Sequence, residues 1–174
     1  MAVTHGLCRE PLKDVISVRL YSLTLRFKGN IHTTEVLMEL TPFLLFDGNC
    51  DEAMRFYHAC FGGELSVTKA SETPMARNLP PEKHDRVVFA QLRSGPLTIS
   101  ATDWLHPTRR FSPGNNVAMY LSEGTYQELR ERFDRLADGA DPDLLDDLHE
   151  MPFGSYGHLA DRFGIHWFFK GEKL

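Results

Sequence analysis

The pattern of hydrophobic and polar positions from residue 38 onward predicts the same order of elements twice. The first unit begins with an apolar strand over residues 43–46, which Asp47-Gly48 ends. Its helix carries apolar residues at helical spacing on one face: Ala53, Phe56, Tyr57 and Cys60. Gly62-Gly63 ends the helix, and three strands are predicted at 64–69, 86–92 and 96–101. Ser94-Gly95 predicts a hairpin between the last two strands.

The second unit restarts with a strand predicted over residues 116–121. Thr125 and Glu128 then have the spacing of a capping box, which marks the start of a helix. The apolar face of this helix consists of Tyr126, Leu129, Phe133 and Leu136. Asp138-Gly139 ends it, and three shorter strands are predicted at 144–148, 157–161 and 165–169.

Two units with the order strand, helix, three strands form an internal repeat, and this repeat predicts an α+β domain of two βαβββ modules. Each unit, at roughly 60 residues, is too small to bury a sheet face well by itself, so we expect the two to pack together. This domain spans residues 38–174. Residues 1–37 lie outside the repeat and contain one strand-like alternation from Tyr21 to Phe27. We expect them to be a peripheral addition, or an upstream extension, that a chain starting at Met38 does not need for its core.

Composition narrows the functional classes. The chain has 174 residues, of which 42% are hydrophobic, and its net charge is -5, which argues against a nucleic-acid binder. It contains no apolar stretch of membrane-spanning length and no signal-peptide pattern. Cys8, Cys50 and Cys60 show no CxxC spacing, so the sequence suggests neither a zinc knuckle nor a redox pair. Their odd number, in a chain without an export signal, fits a reducing cytoplasm. We expect a soluble cytoplasmic protein that binds neither nucleic acid nor membranes.

Two motifs resemble those of the PhnB-like family, which is often labelled demethylubiquinone methyltransferase-like. The first is TPFLLFDGNCDEAMRFY at residues 41–57 with FGGEL at 61–65, and the second is FGSYGHLADRFGIHW at 153–167. They bracket about three quarters of the chain in the family's order. The family is part of the vicinal-oxygen-chelate superfamily, with the glyoxalases and bleomycin-resistance proteins. The resemblance implies that the modules form a curved, cup-like sheet around a ligand cavity, and that the protein is a homodimer.

The superfamily resemblance leaves several functions open. The superfamily includes metal-dependent lyases and isomerases, extradiol dioxygenases, and metal-free proteins that sequester a drug. The fold therefore does not decide the function. The methyltransferase label finds no physical support in the sequence, because no Gly-rich turn between a strand and a helix offers a site for an adenosyl cofactor.

The resemblance also places metal ligands on the first, fourth, fifth and eighth strands of metal-using relatives. The matching positions here are Pro42, the stretch from Ala101 to Asp103, Asn116 and Phe168. Proline and phenylalanine side chains cannot bind a metal, and the usual set of carboxylates and imidazoles is missing. We therefore predict no metal and no cofactor. An improvised site that includes His166 is the alternative.

Six residues are candidates for ligand contacts near the cup: Asp103, Trp104, Asn116, Tyr156, His158 and His166. Asp103 and Trp104 leave the fourth strand toward the rim, where Trp104 either contacts a ligand or anchors the loop. Tyr156 and His158 offer neutral hydrogen bonds, and His166 shares a strand face with Phe168. Two further residues favour a packing role: Trp167 in the core, and Cys50, whose position at a helix N-terminus would otherwise suggest a reactive thiol.

These observations predict a metal-independent protein that binds a small organic molecule in an apolar cup. The alternative is a lyase, isomerase or dioxygenase of the same superfamily that uses a noncanonical divalent metal. Four protein ligands converging in the cup would favour this alternative. A third possibility is a structural dimer without a ligand, which a cup filled by its own side chains would favour.

Overall fold

The computed structural model describes residues 39–173. The strands and helices, in chain order, are β1 (Phe43–Phe46), α1 (Cys50–Phe61), β2 (Glu64–Lys69), β3 (Val87–Ser94), β4 (Leu97–Asp103), β5 (Met119–Ser122), α2 (Tyr126–Leu136), β6 (Asp146–Met151), β7 (Gly154–Ala160) and β8 (His166–Lys170). Short 3-10 helices connect β2 to β3 (Ala70–Glu72, Pro74–Asn78 and Pro81–Lys83), and another precedes β6 (Pro142–Leu144). The prediction for residues 1–37 lies outside the described residues.

The two modules have the same topology, which confirms the predicted βαβββ repeat. The first forms a four-stranded sheet in the order β1-β4-β3-β2, and the second a sheet in the order β5-β8-β7-β6. In each module the first strand runs parallel to the last, and the other pairs are antiparallel. Within residues 39–173, no helix combines the length and apolarity that a bilayer crossing requires.

Local signals placed the helices correctly and several strands only approximately. Thr125 and Glu128 form the predicted capping box at α2, and α1 ends before Gly62. β5, however, begins at Met119, because its first pairing partner is Trp167 in β8. The prediction that Asn116 lies in a strand is therefore wrong, and this residue is exposed in a bend before β5. β6 begins at Asp146, since Pro142–Leu144 form a 3-10 helix.

The helices cover one face of the sheets, and the two modules share one hydrophobic core. Trp167 of β8 is fully buried, with its ring centroid 5.6 Å from that of Tyr57 and 5.5 Å from that of Phe61, both in α1. Phe133 of α2 packs edge-on against Phe169 at 5.1 Å. The prediction that Trp167 is a core residue is confirmed.

A buried carboxylate joins the modules within this core. Oδ2 of Asp161 accepts hydrogen bonds from the Tyr57 hydroxyl and from Nε1 of Trp167, both at 2.8 Å. Its Oδ1 accepts the backbone N–H groups of Phe163 at 2.9 Å and Ile165 at 3.0 Å. Burial, and next the charge of Asp161, raise the pKa of Tyr57, so this hydroxyl remains a donor. The family-like motif at residues 153–167 therefore has a structural role in which four donors converge on one side chain.

Candidate functional site

One face of the second sheet carries a row of aromatic and basic side chains. Residues directly opposite each other on neighbouring strands share a face, and Phe168 lies opposite both Tyr120 and His158, while Lys170 lies opposite Tyr156. We call this face, which is turned away from α2, the open face. It consists of Tyr120, Tyr156, His158, His166, Phe168 and Lys170. The alternating residues of β8 point the other way, into the core.

The open face contains a cavity of about 450 Å³. It is lined by Ala118, Tyr120, Phe153, Tyr156, Phe168 and Lys170. The Tyr156 ring lies 6.2 Å from that of Phe168 and packs edge-on against Phe153 at 6.3 Å. The volume falls in the range of small-molecule pockets, and an aromatic lining with few polar groups is typical of them.

Two histidines form a hydrogen-bonded pair next to this cavity. Nε2 of His158 and Nδ1 of His166 are 3.0 Å apart, and the two rings stack with centroids 5.2 Å apart. Such a contact requires that one of the two nitrogens carries a proton and donates it in a hydrogen bond that the other nitrogen accepts. The His158 ring also lies 4.4 Å from the Phe168 ring. Burial, and next the neighbouring His166, lower the pKa of His158, against the opposing effect of Asp146.

The lowered pKa of His158 predicts a loss of stability in weak acid. An unfolded histidine takes up its proton near its ordinary pKa of about 6.5, whereas burial makes folded His158 take up a proton only at lower pH. The contribution of neutral His158 to the free energy of unfolding is therefore fully present above about pH 6.5. It is lost as the pH falls through the lowered pKa of the folded protein. We expect the melting temperature of His158→Gln to depend less on pH than that of the wild type, between about pH 5 and pH 8.

Exposed His58 in α1 provides the control, because His58→Gln removes an imidazole far along the chain from the pair. Its melting temperature should follow the wild-type pH dependence. Calorimetric scans would compare the wild type, His158→Gln and His58→Gln across this pH range. If His158→Gln lost stability in acid as steeply as the wild type, the prediction would be wrong.

Asp103 does not reach the open face, and the structure gives its carboxylate a different role. It is buried at the end of β4, where Oδ1 accepts the N–H groups of Gly48 at 2.7 Å and Cys50 at 3.1 Å. Oδ2 accepts the N–H group of Val87 at 2.7 Å. Asp103 therefore caps the N-terminus of α1. The N-cap residue Asn49 makes no capping hydrogen bond with its own side chain. Backbone N–H groups therefore occupy both oxygens of Asp103, and the contact with a ligand expected for this residue stays a prediction.

The packing interpretation of Cys50 is confirmed. Its side chain is fully buried, and burial, followed by the charge of Asp103, raises the pKa of the thiol to about 12. A thiol that stays protonated is a poor nucleophile.

Trp104 anchors the loop after β4, which is one of its two predicted roles. Its Nε1 donates to the carbonyl oxygen of Arg109 at 2.7 Å, and its ring stacks on His106. His106 Nδ1 in turn accepts the N–H groups of Thr108 and Arg109. Neither Trp104 nor the exposed Asn116 lines the cavity. The structure therefore brings together three of the six candidates, Tyr156, His158 and His166.

The donor set does not fit a divalent metal in the expected place. Pro42 and Phe168 carry apolar side chains, and the oxygens of Asp103 are engaged by the backbone. His158 and His166 bond to each other, and the described part of the chain contains no group of three or more His, Cys, Asp or Glu side chains that could hold a metal ion. Divalent metals need several such ligands together.

Sequence reasoning missed four residues of the cavity: Ala118, Tyr120, Phe153 and Lys170. Lys170 follows Phe168 by two positions and so shares its face in a strand, a signal that was present. Tyr120 joins them only through the parallel pairing of β5 with β8, which no local pattern reveals.

Comparisons with known proteins agree with this architecture. The profile of the family described as 3-demethylubiquinone-9 3-methyltransferase matches residues 38–169. The solved structure of PA1353 from Pseudomonas aeruginosa is 27% identical, with a TM-score of 0.69 over 79% of this chain and 100% of that one. The PhnB protein from Bacillus cereus is 25% identical, with a TM-score of 0.59 over 77% of this chain and 99% of that one.

A glyoxylase/bleomycin resistance protein/dioxygenase domain from Frankia sp. EAN1pec, 19% identical, shares the fold with a TM-score of 0.52 over 79% of this chain and 93% of that one. No curated protein sequence matches the chain. The predicted fold, two βαβββ modules in an α+β domain, is confirmed.

Proposed function

The chain belongs to the 3-demethylubiquinone-9 3-methyltransferase, or PhnB-like, family, and we propose that it binds a small organic molecule at the open face without a metal ion. The cavity of about 450 Å³ supports this proposal most directly, because its aromatic walls are available to a ligand. The donor set described above supports metal independence, and it does not favour the alternative of a metal-dependent lyase, isomerase or dioxygenase.

The β1–α1 turn does not favour the methyl transfer that the family's description names. A cofactor bound at the start of a helix would need the N–H groups of the β1–α1 turn. In this protein the N–H groups of Gly48 and Cys50 already donate to the buried carboxylate of Asp103. The turn therefore offers such a cofactor few free donors.

We propose that two copies pair to complete the ligand cup. Apolar side chains are exposed on the helix-free side of the first sheet, where Phe43 is 51% and Phe89 41% exposed with their rings in contact. On the open face of the second sheet, Tyr120 is 59% exposed. In a two-fold dimer, the first sheet of each copy can cover the second sheet of the other, which buries both surfaces twice.

The buried free thiols of Cys50 and Cys60 are compatible with a cytoplasmic location.

Binding of a neutral aromatic probe tests this function. We expect N-phenyl-1-naphthylamine, whose fluorescence rises in apolar surroundings, to bind equally well with and without a metal chelator. Phe168→Ala should weaken this binding roughly fivefold, because stacking on an aromatic ring contributes about 1 kcal/mol. Elemental analysis of the protein purified without added metal should find no stoichiometric zinc, nickel or iron.

Tyr126→Ala is the matched control, since it removes a half-buried aromatic ring from α2, on the other side of the sheet. Its probe affinity should equal that of the wild type. Absence of probe binding would contradict the function, and loss of binding in chelator would contradict its independence from metal.

A further inference from the structure

Among residues 39–173, Lys170 is the one charged side chain that lines the cavity. It is exposed at the end of β8, and among residues 39–173 no carboxylate lies within ion-pair distance of its ammonium group. Its Nζ lies 6.0 Å from the centroid of the Phe153 ring, another lining residue. An unpaired cation beside aromatic rings, in a chain of net charge -5, favours an anionic partner.

The two ends of the open face differ in charge. Along β8, His166, Phe168 and Lys170 share the face, so the histidine pair and the ammonium group lie at opposite ends of a row about 13 Å long. At the histidine end, Asp146 lies opposite His158 and contributes a negative charge. Beyond Lys170, Glu123 and Glu172 line a neighbouring depression that also includes Lys170. Within the described part of the chain, no carboxylate lines the aromatic cavity itself.

The walls between the two ends suit a flat ligand. Phe168 lies between Tyr120 and His158 across the strands, and Tyr156 packs beside it. Aromatic rings stack favourably on such surfaces, and a ligand with one or two linked rings matches the length of the row.

We infer that the ligand is a planar aromatic anion whose rings lie on Phe168 and whose acidic group, a carboxylate or a sulfonate, binds the ammonium group of Lys170. This inference rests on the proposed function and specifies the ligand class for the same cavity. An acidic group at this end gains a charge-assisted hydrogen bond that a neutral aromatic molecule lacks.

Two probes with the same ring skeleton test the inference: 8-anilinonaphthalene-1-sulfonate, an anion, and N-phenyl-1-naphthylamine, its neutral counterpart. We expect the wild-type protein to bind the sulfonate five- to tenfold more tightly than the neutral probe at low salt, a preference that added salt reduces. Lys170→Gln should remove this preference, because it weakens binding of the sulfonate more than binding of the neutral probe. Lys170→Arg should retain it.

Lys173→Gln is the matched control, because it removes an equal charge from an exposed lysine outside the cavity lining. Its preference for the sulfonate should remain that of the wild type. If both probes bind with equal affinity, or if Lys173→Gln and Lys170→Gln act alike, the inference is overturned while the binding function stands. If neither probe binds, the binding function itself fails.

Discussion

Replacing Asp161 with alanine is expected to lower the free energy of unfolding by about 3–5 kcal/mol. The substitution removes the acceptor for four donors at once: the Tyr57 hydroxyl, the Trp167 indole and two backbone N–H groups. Because Asp161 is buried, little water is available to replace the lost bonds. Chemical denaturation monitored by tryptophan fluorescence would measure the loss, and both Trp104 and Trp167 would contribute to the signal.

A graded series separates the carboxylate from its partners. Tyr57→Phe removes one donor and keeps the ring, so it should cost only about 1 kcal/mol. Asp85→Ala, which removes an exposed carboxylate, should change stability by less than about 0.5 kcal/mol. An Asp161→Ala protein as stable as Tyr57→Phe would show that the four bonds contribute little.

Asp103→Ala should cost about 3 kcal/mol of stability and leave ligand affinity intact. Its carboxylate connects the β1–α1 turn with the start of β3, through the N–H groups of Gly48, Cys50 and Val87. Asp103→Asn should also destabilise the protein, because its amide N–H₂ group would face at least one of these donors. Denaturation curves would measure the cost, and titration with N-phenyl-1-naphthylamine under conditions where the variant is fully folded would measure affinity.

Ligand binding distinguishes this structural role from the ligand contact expected from sequence. Phe168→Ala should show the reverse pattern, with weaker probe binding and a smaller loss of stability, because its side chain is half-buried at the open face. A folded Asp103→Ala protein with tenfold weaker probe binding would return Asp103 to the site.

The repeat could be predicted from the sequence because its signals are local. A capping box at Thr125, glycines after α1 and alternation within each strand lie within a few residues of the features they specify. The role of Asp103 was hidden because its partners lie 55, 53 and 16 residues away. A carboxylate after a strand looks the same in sequence whether it meets a ligand or a backbone.

The candidate site shows the same division between local and distant information. Tyr156, His158 and His166 were found because alternation within β7 and β8 assigns their face. Tyr120 was missed, and Asn116 was wrongly placed in a strand, because the position of β5 depends on its parallel pairing with β8, about 50 residues along the chain.

The hydrogen bond from Tyr57 to Asp161 spans 104 residues and crosses from one repeat to the other. A duplicated sequence usually suggests two units that could each fold alone. Here the donor belongs to the first copy and the acceptor to the second, so neither copy has a complete interior without the other. The two repeats are therefore expected to unfold as one cooperative unit. Their backbones keep the same topology, whereas their core side chains differ.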